Sequence, residues 1–237
     1  MSEPFDRKIG CVAMAETASH SKQKPAAEDA QSPPKVDRRT AKSQSTRLRI
    51  LESAMTLFLG QGFGQTSLEA VAANAGTTKP TVYSHFQSKQ GLFDAVLEHY
   101  GQHRIKGMGE ILQPTENPKS DLIQFGDFFL AQVLSPESQR WDRLAANESM
   151  THPEVGQSFF NAGPRRVLKL ITNYLKHQKK AGRLQISHPA RAAEQFIGML
   201  LCLDLLRAQI GEGVPSEAQR KRRSREAVDV FLAAYES

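Results

Sequence analysis

The chain has 237 residues, 39% of them apolar, and a formal net charge of +6 at pH 7. That length holds a sizeable core in one or two domains, and the lack of any run of about 18 apolar residues excludes a membrane-spanning helix. Two cysteines, Cys11 and Cys202, make no disulfide framework, and MSEPFDRKIGCVAMAETASH carries too short an apolar patch for a secretory leader, so a reducing cytoplasm is the expected compartment.

Residues 1–42 are rich in Ser, Lys, Gln, Ala and Pro and lack any period, which predicts a disordered tail. Arg38, Arg39 and Lys42 close it, and an arm of that kind can lie along phosphates or enter a minor groove. If it does, deleting residues 1–39 weakens DNA affinity and flattens its salt dependence. The first helix is expected over about 44–60, with Ile50, Leu51, Ala54, Leu57 and Phe58 inward and Gly62 ending it. Arg47 sits near its start, within reach of phosphate.

The next stretch, TSLEAVAANAGTTKPTVYSHFQSK, runs from Thr66 to Lys89. Leu68, Val71, Ala72 and Ala75 fall at i, i+3, i+4 and i+7 and give a short helix one apolar face. Thr66 with Glu69 three residues on reads as a capping box. Gly76 supplies a turn. Thr77 or Thr78 caps a second short helix, and Pro80 occupies its first turn, where a missing N–H is harmless. Only Val82 and Phe86 face inward. Thr78, Lys79, Thr81, Tyr83, Ser84 and His85 are left outside, a platform of hydroxyls, an amine, a phenol and an imidazole suited to phosphate oxygens and base edges in a DNA major groove. Charge does not single this region out: residues 43–100 hold four Lys/Arg (Arg47, Arg49, Lys79, Lys89) against four Asp/Glu (Glu52, Glu69, Asp94, Glu98).

A fourth helix begins at Ser88 or Lys89 and runs to about Gly107 or Gly109, burying Leu92, Phe93, Val96, Leu97 and Tyr100. Prolines at 114 and 118 mark a loop. Everything beyond is again helical by pattern: about 119–134, 136–149, a restart at His152-Pro153 broken at Gly163-Pro164 and continuing to Gly182, then 189–211 and 216–235. No alternation of strand type and no repeat occurs. The fold class is therefore all-α.

The stretch from Ser43 to Leu97 resembles the helix-turn-helix of TetR-family transcriptional regulators. The resemblance is carried by Gly62, Phe63, Thr66 and Ser67 before the turn, by AGTTKPTVYSHF, and by Phe86, Ser88, Lys89 and Leu92 after it. Pro80 departs from the pattern, standing where many members have Gly or Ala. The resemblance implies a DNA-binding domain over 43–104, with its helix-turn-helix at about 67–86, and a helical ligand-sensing and dimerisation domain over 105–237. It implies that Tyr83 and Lys89 grip phosphates, that Thr66 and Ser67 offer hydroxyls or helix-end amides, and that Lys79, Thr81 and His85 read bases, with Thr77, Thr78, Pro80 and Ser84 completing the expected DNA contacts. It also implies a homodimer, formed by the last two helices, on a palindromic double-stranded DNA operator. Phe196, Leu200, Leu203, Leu206, Val230 and Phe231 are the expected dimer residues, and Phe125, Phe128, Phe129, Trp141, Asn147 and Phe159 the expected lining of a pocket for a small-molecule effector. Repression relieved by that effector is the expected mode.

His99 and His103, four apart, lack the intervening carboxylate and third ligand of a metal site, so no metal and no cofactor is expected. The run Arg220 to Arg225 reads as a solvated or subunit-pairing face. No nucleophile elbow, phosphate loop or dinucleotide fingerprint points to an enzyme. A DNA-binding protein without a ligand is the alternative, which a sealed C-terminal core would favour and an open pocket would not.

Overall fold

The structure is a computed structural model, described here for residues 38–235. Eleven helices follow one another: α1 Arg38–Gln65, α2 Leu68–Asn74, α3 Lys79–Phe86, α4 Lys89–Ile111, α5 Pro118–Val133, α6 Pro136–Glu148, α7 Pro153–Ala162, α8 Pro164–Lys180, α9 Pro189–Leu201, α10 Asp204–Ile210 and α11 Glu217–Tyr235. No β-strand occurs among the described residues.

Proline sets most of the starts. α5, α6, α7, α8 and α9 each open on one, where its fixed φ suits the first turn and no intrahelical donor is lost. Side-chain caps add to this at Asn117, which accepts from Ser120 N, and Ser135, which accepts from Ser138 N.

Two apolar clusters hold the helices. One lies in the C-terminal bundle, around Phe125, Leu130, Ile171, Leu175, Phe196 and Phe231. The other belongs to the first four helices, around Ile50, Phe58, Val71, Val82 and Phe93, and it also takes in Trp141 and Leu144 of α6 and Val155 of α7. The expected division at residue 104 is thus not a division of cores. Phe93 meets Phe58 at 5.2 Å and Trp141 at 6.2 Å. Truncating any of these large buried rings costs about 3–5 kcal/mol.

Three expectations about elements need correction. α1 starts at Arg38, so Arg38, Arg39 and Lys42 are helical rather than part of an arm; residues 1–37, the rest of the expected tail, lie outside the described residues. Gly62, at φ 89° and ψ 167°, breaks the helix where the sequence predicts its end, and a short turn follows to Gln65. The cap of α2 is Ser67, which accepts from Ala70 N at 3.1 Å. Thr66 is buried and donates to Gly62 O at 2.7 Å. The apolar run 189–211 is two helices, broken where Cys202 takes φ 44°.

Candidate nucleic-acid interface and effector cavity

α2 and α3 meet through a turn that needs Gly76 at φ 60°. Ser53 of α1 fastens it from below, donating to Val71 O at 3.0 Å and accepting from Asn74 Nδ2 at 3.0 Å. On the outer side, Thr78 caps α3, its hydroxyl 2.9 Å from that of Thr81, and Ser84 donates to Thr81 O at 2.8 Å. These bonds fix the directions of three hydroxyls before any DNA arrives. Ser67, Thr78, Lys79, Pro80, Tyr83 and Ser84 are exposed, while Thr77, Thr81 and His85 are half-buried.

Two cations of this face are already engaged. Lys79 forms an ion pair with Glu69 of α2, and its ammonium also lies 5.7 Å from the Tyr83 ring. The pair holds the Glu69 carboxyl below its ordinary range and the Lys79 amine above its own, through the side-chain hydrogen bond in both cases. Lys89 donates to Gly64 O at 2.9 Å and covers the Phe63 ring at 4.6 Å, and its partial burial lowers its pKa. Thr66 has no hydroxyl free for phosphate, since it is buried and bonded to Gly62 O. Arg49, absent from the expected contacts, reaches Gly76 at the turn.

A half-open cavity of about 420 Å³ lies between α4, α5, α6, α7, α8 and α9. Of the six expected lining residues, Phe129, Trp141 and Phe159 border it. The other three expected residues do not. Phe125 lies in the core beneath, stacked on Phe129 at 5.5 Å. Phe128 packs against Gly107. Asn147 is exposed and borders a separate hollow beside Arg140 and Glu148. The wall also carries polar groups: Tyr100 and Arg104 of α4, Gln132 of α5, Ser138 and Asp142 of α6 and Glu194 of α9. Arg104 donates to Gln132 Oε1 at 2.9 Å, Gln132 O at 2.6 Å, the Tyr100 hydroxyl at 2.8 Å and the Ser138 hydroxyl. Burial pushes the Asp142 carboxyl up to about 6, against the pull of Arg104 and Arg143.

Comparison with known proteins decides what this pair of sites belongs to. Residues 50–96 match the family described as bacterial regulatory proteins, tetR family, and residues 120–237 match the AefR-like transcriptional repressor, C-terminal domain. The chain belongs to the TetR family of transcriptional regulators. Similar TetR-family proteins include the HTH-type transcriptional regulator YvkB of Bacillus subtilis, 28% identical over 180 residues, which are 74% of this chain and 90% of YvkB. A putative TetR-family regulator from Mesorhizobium loti has a similar structure, with a TM-score of 0.74 and 26% identity over 83% of this chain and 99% of its own. The flavonoid-responsive regulator FrrA has a TM-score of 0.71 and 25% identity, over 81% and 98%. Proteins of this family and fold are regulators, not enzymes.

In this TetR-family regulator the two sites are joined twice. α4 starts at Lys89, directly after the helix-turn-helix, and carries Tyr100 and Arg104 into the cavity wall. α6 carries Trp141 and Asp142 in the wall and ends at Glu148, whose carboxylate accepts from Gly64 N at 2.9 Å. A Cβ at Gly62 would collide with that carboxylate. His152 completes the junction, 5.3 Å from the Phe63 ring.

The remaining candidates behave as surface. His99 is exposed, the His103 side chain lies outside the described residues, and among the described residues no group of three His, Cys, Asp or Glu is placed to hold a metal. The basic run is locally neutralised: Lys221 pairs with Glu217, Arg222 with Glu226 and Arg223 with Asp204. Among the described residues no helix is long and apolar enough to cross a membrane.

Proposed function

We propose that this TetR-family regulator is a cytoplasmic homodimeric repressor that binds a palindromic operator and is released by a small molecule entering the α4–α9 cavity. One observation carries the reading. α4 is a continuous helix with the DNA-binding unit at its first residue and a roomy, mostly apolar cavity along its second half. An occupant that shifts α4 changes the spacing of two recognition helices, which a palindrome holds about one DNA turn apart. The match to a repressor C-terminal domain supports the sign of regulation. FrrA, flavonoid-responsive by name, supports a small organic effector. Ser67, Thr78, Lys79, Thr81, Tyr83 and His85 are the proposed DNA contacts, with Lys89 reaching phosphate after leaving Gly64.

The dimer face requires correction before it is proposed. Phe196, Leu200 and Phe231 are 0% exposed within one protomer and cannot also cover a partner. Leu203 and Leu206 of the 202–210 region and Val230 of α11 remain open, at 55, 52 and 61% exposure, as do Ile210 and Val214. These open apolar residues are the proposed contact.

Selection of bound sequences from random double-stranded DNA tests the central claim. An enriched palindrome with half-sites about one turn apart is the expected result. A screen of compounds against the selected operator then measures release, and an effector that weakens operator binding must itself be weakened by the operator by the same factor. No enriched palindrome would overturn the reading.

A further inference from the structure

The outward face of the helix-turn-helix carries fewer free reading groups than its residue types suggest. Thr78 accepts from Thr81 N, its hydroxyl is hydrogen-bonded to that of Thr81 at 2.9 Å, and Ser84 donates to Thr81 O at 2.8 Å. These three hydroxyls are engaged within α3 and its cap. Lys79 is the first residue of α3, at the end from which a recognition helix meets base edges. It does not stand alone there. Its ammonium is joined to the carboxylate of Glu69 in the first turn of α2, and the two side chains are 45 and 59% exposed. Together α2 and α3 hold out a donor and an acceptor side by side.

A carboxylate in that place has to be accounted for. Facing a duplex it meets the repulsion of the phosphates, and a first-turn acid favours α2 just as well from a side chain turned away from Lys79. Its hydrogen bond with Lys79 holds the carboxyl below its ordinary range, so Glu69 stays ionised and only accepts. The major groove offers two kinds of donor, cytosine N4 and adenine N6. Along a G·C edge the groups run guanine N7, guanine O6, cytosine N4. A carboxylate on N4 there has one neighbouring acceptor, O6, and an ammonium beside it covers both O6 and N7. Along an A·T edge adenine N6 lies between two acceptors, adenine N7 and thymine O4. One ammonium covers one of them and leaves the carboxylate against the other.

We propose that Glu69 is a specificity-determining residue that reads a G·C base pair jointly with Lys79, its carboxylate accepting from cytosine N4 while the Lys79 ammonium donates to guanine O6 and N7. This rests on α3 entering the major groove of an operator, as proposed above, and adds the identity of one base pair in each half-site. The same pairing withholds Lys79 from phosphates, so it favours the matching base pair over non-specific binding.

Full-length wild type, Glu69→Gln and Lys79→Met are each put through selection from random double-stranded DNA, with thermal melts to check folding. Wild type is expected to fix one G·C pair in each half-site. Both variants are expected to lose that preference at the same position and to keep the rest of the half-site. Fluorescence anisotropy then compares the wild-type operator with a duplex in which that G·C pair is exchanged for A·T in one half-site. The exchange is expected to cost wild type about tenfold in affinity. It is expected to cost Glu69→Gln less than about threefold, because glutamine, donor and acceptor both, also suits adenine. A wild-type half-site with no fixed G·C pair overturns the proposal. So do identical selected sequences for wild type and Glu69→Gln, which would leave Glu69 a first-turn charge of α2. Loss of preference at different base pairs in the two variants overturns the joint reading as well. Wild type enriching no sequence at all sinks this assignment together with the operator. A G·C position that responds to Glu69→Gln in a site without twofold symmetry sinks the palindrome and leaves the role of Glu69 standing.

Discussion

Lys79 and Glu69 set an unusual balance at the DNA face. The one exposed amine of the recognition helix is held by a carboxylate on the neighbouring helix, and both are well solvated. Glu69 is therefore a competitor of phosphate for Lys79 and a source of repulsion toward the duplex. Glu69→Gln is expected to tighten operator binding several-fold and to steepen its salt dependence, measured by fluorescence anisotropy over a salt series. An unchanged slope would mean that Lys79 does not reach DNA. Asp142 allows a second test at this scale. Burial lifts its carboxyl from an ordinary 3.8 to about 6. Between those pH values the unfolded chain has given up the proton and the folded chain has not, so stability falls as pH rises through the window and is flat above it. The cost at neutral pH is on the order of 2 kcal/mol once partial solvation is discounted. Asp142→Asn should be more stable than wild type at pH 7 and show a shallower decline between pH 4 and 6 in urea titrations. Both residues were visible in the sequence, but their neighbours were not. Glu69 reads there as half of a capping box, because Thr66 three residues earlier fits the pattern, and only the burial of Thr66 transfers the cap to Ser67.

At the scale of elements, the legible boundaries are those marked by a local signal. Ser88 caps α4 and Ser135-Pro136 opens α6, as their residue types require. The break at Cys202 carries no such signal. Apolar spacing continues across it, and a run from Ala192 to Leu206 reads as one helix until its geometry is seen. Cys202 there adopts φ 44° and ψ −129°, a conformation open to glycine and strained for other residues. Cys202→Gly should relieve that strain and raise stability by about 1 kcal/mol, or about 2–4 °C in Tm by calorimetry for a domain of this size. A drop in Tm would show that the backbone freedom glycine adds to the unfolded chain outweighs the strain.

Across the whole molecule the difficulty is one of sides. The run over α9 and α10 is apolar on more than one face, and periodicity alone does not say which face of it, or which edge of the α11 stripe, meets the protomer's own core. Half of the expected dimer residues fell on the wrong side for that reason. The open residues Leu206 and Val230 give a direct test. Leu206→Glu with Val230→Glu places two charges where an apolar partner is proposed, and sedimentation should give a monomer with operator affinity reduced at least about tenfold, since paired half-sites are lost. A dimer that persists would move the interface elsewhere. Net charge offered little help at this scale, because the excess of Lys and Arg lies outside the DNA-binding unit and much of the conspicuous run at 220–225 is paired within its own helix or to Asp204.

The shared core of the first four helices with α6 and α7 bears on how such a regulator can be recombined. A graft that cut after α4 and joined residues 38–112 to a foreign sensor would strip Trp141, Leu144 and Val155 from Phe58, Phe63 and Phe93, and would remove the carboxylate that Gly64 donates to. The transferable reading head is larger than the helix-turn-helix. It ends at Ala162, and any chimera that keeps α6 inherits one wall of the original cavity with it.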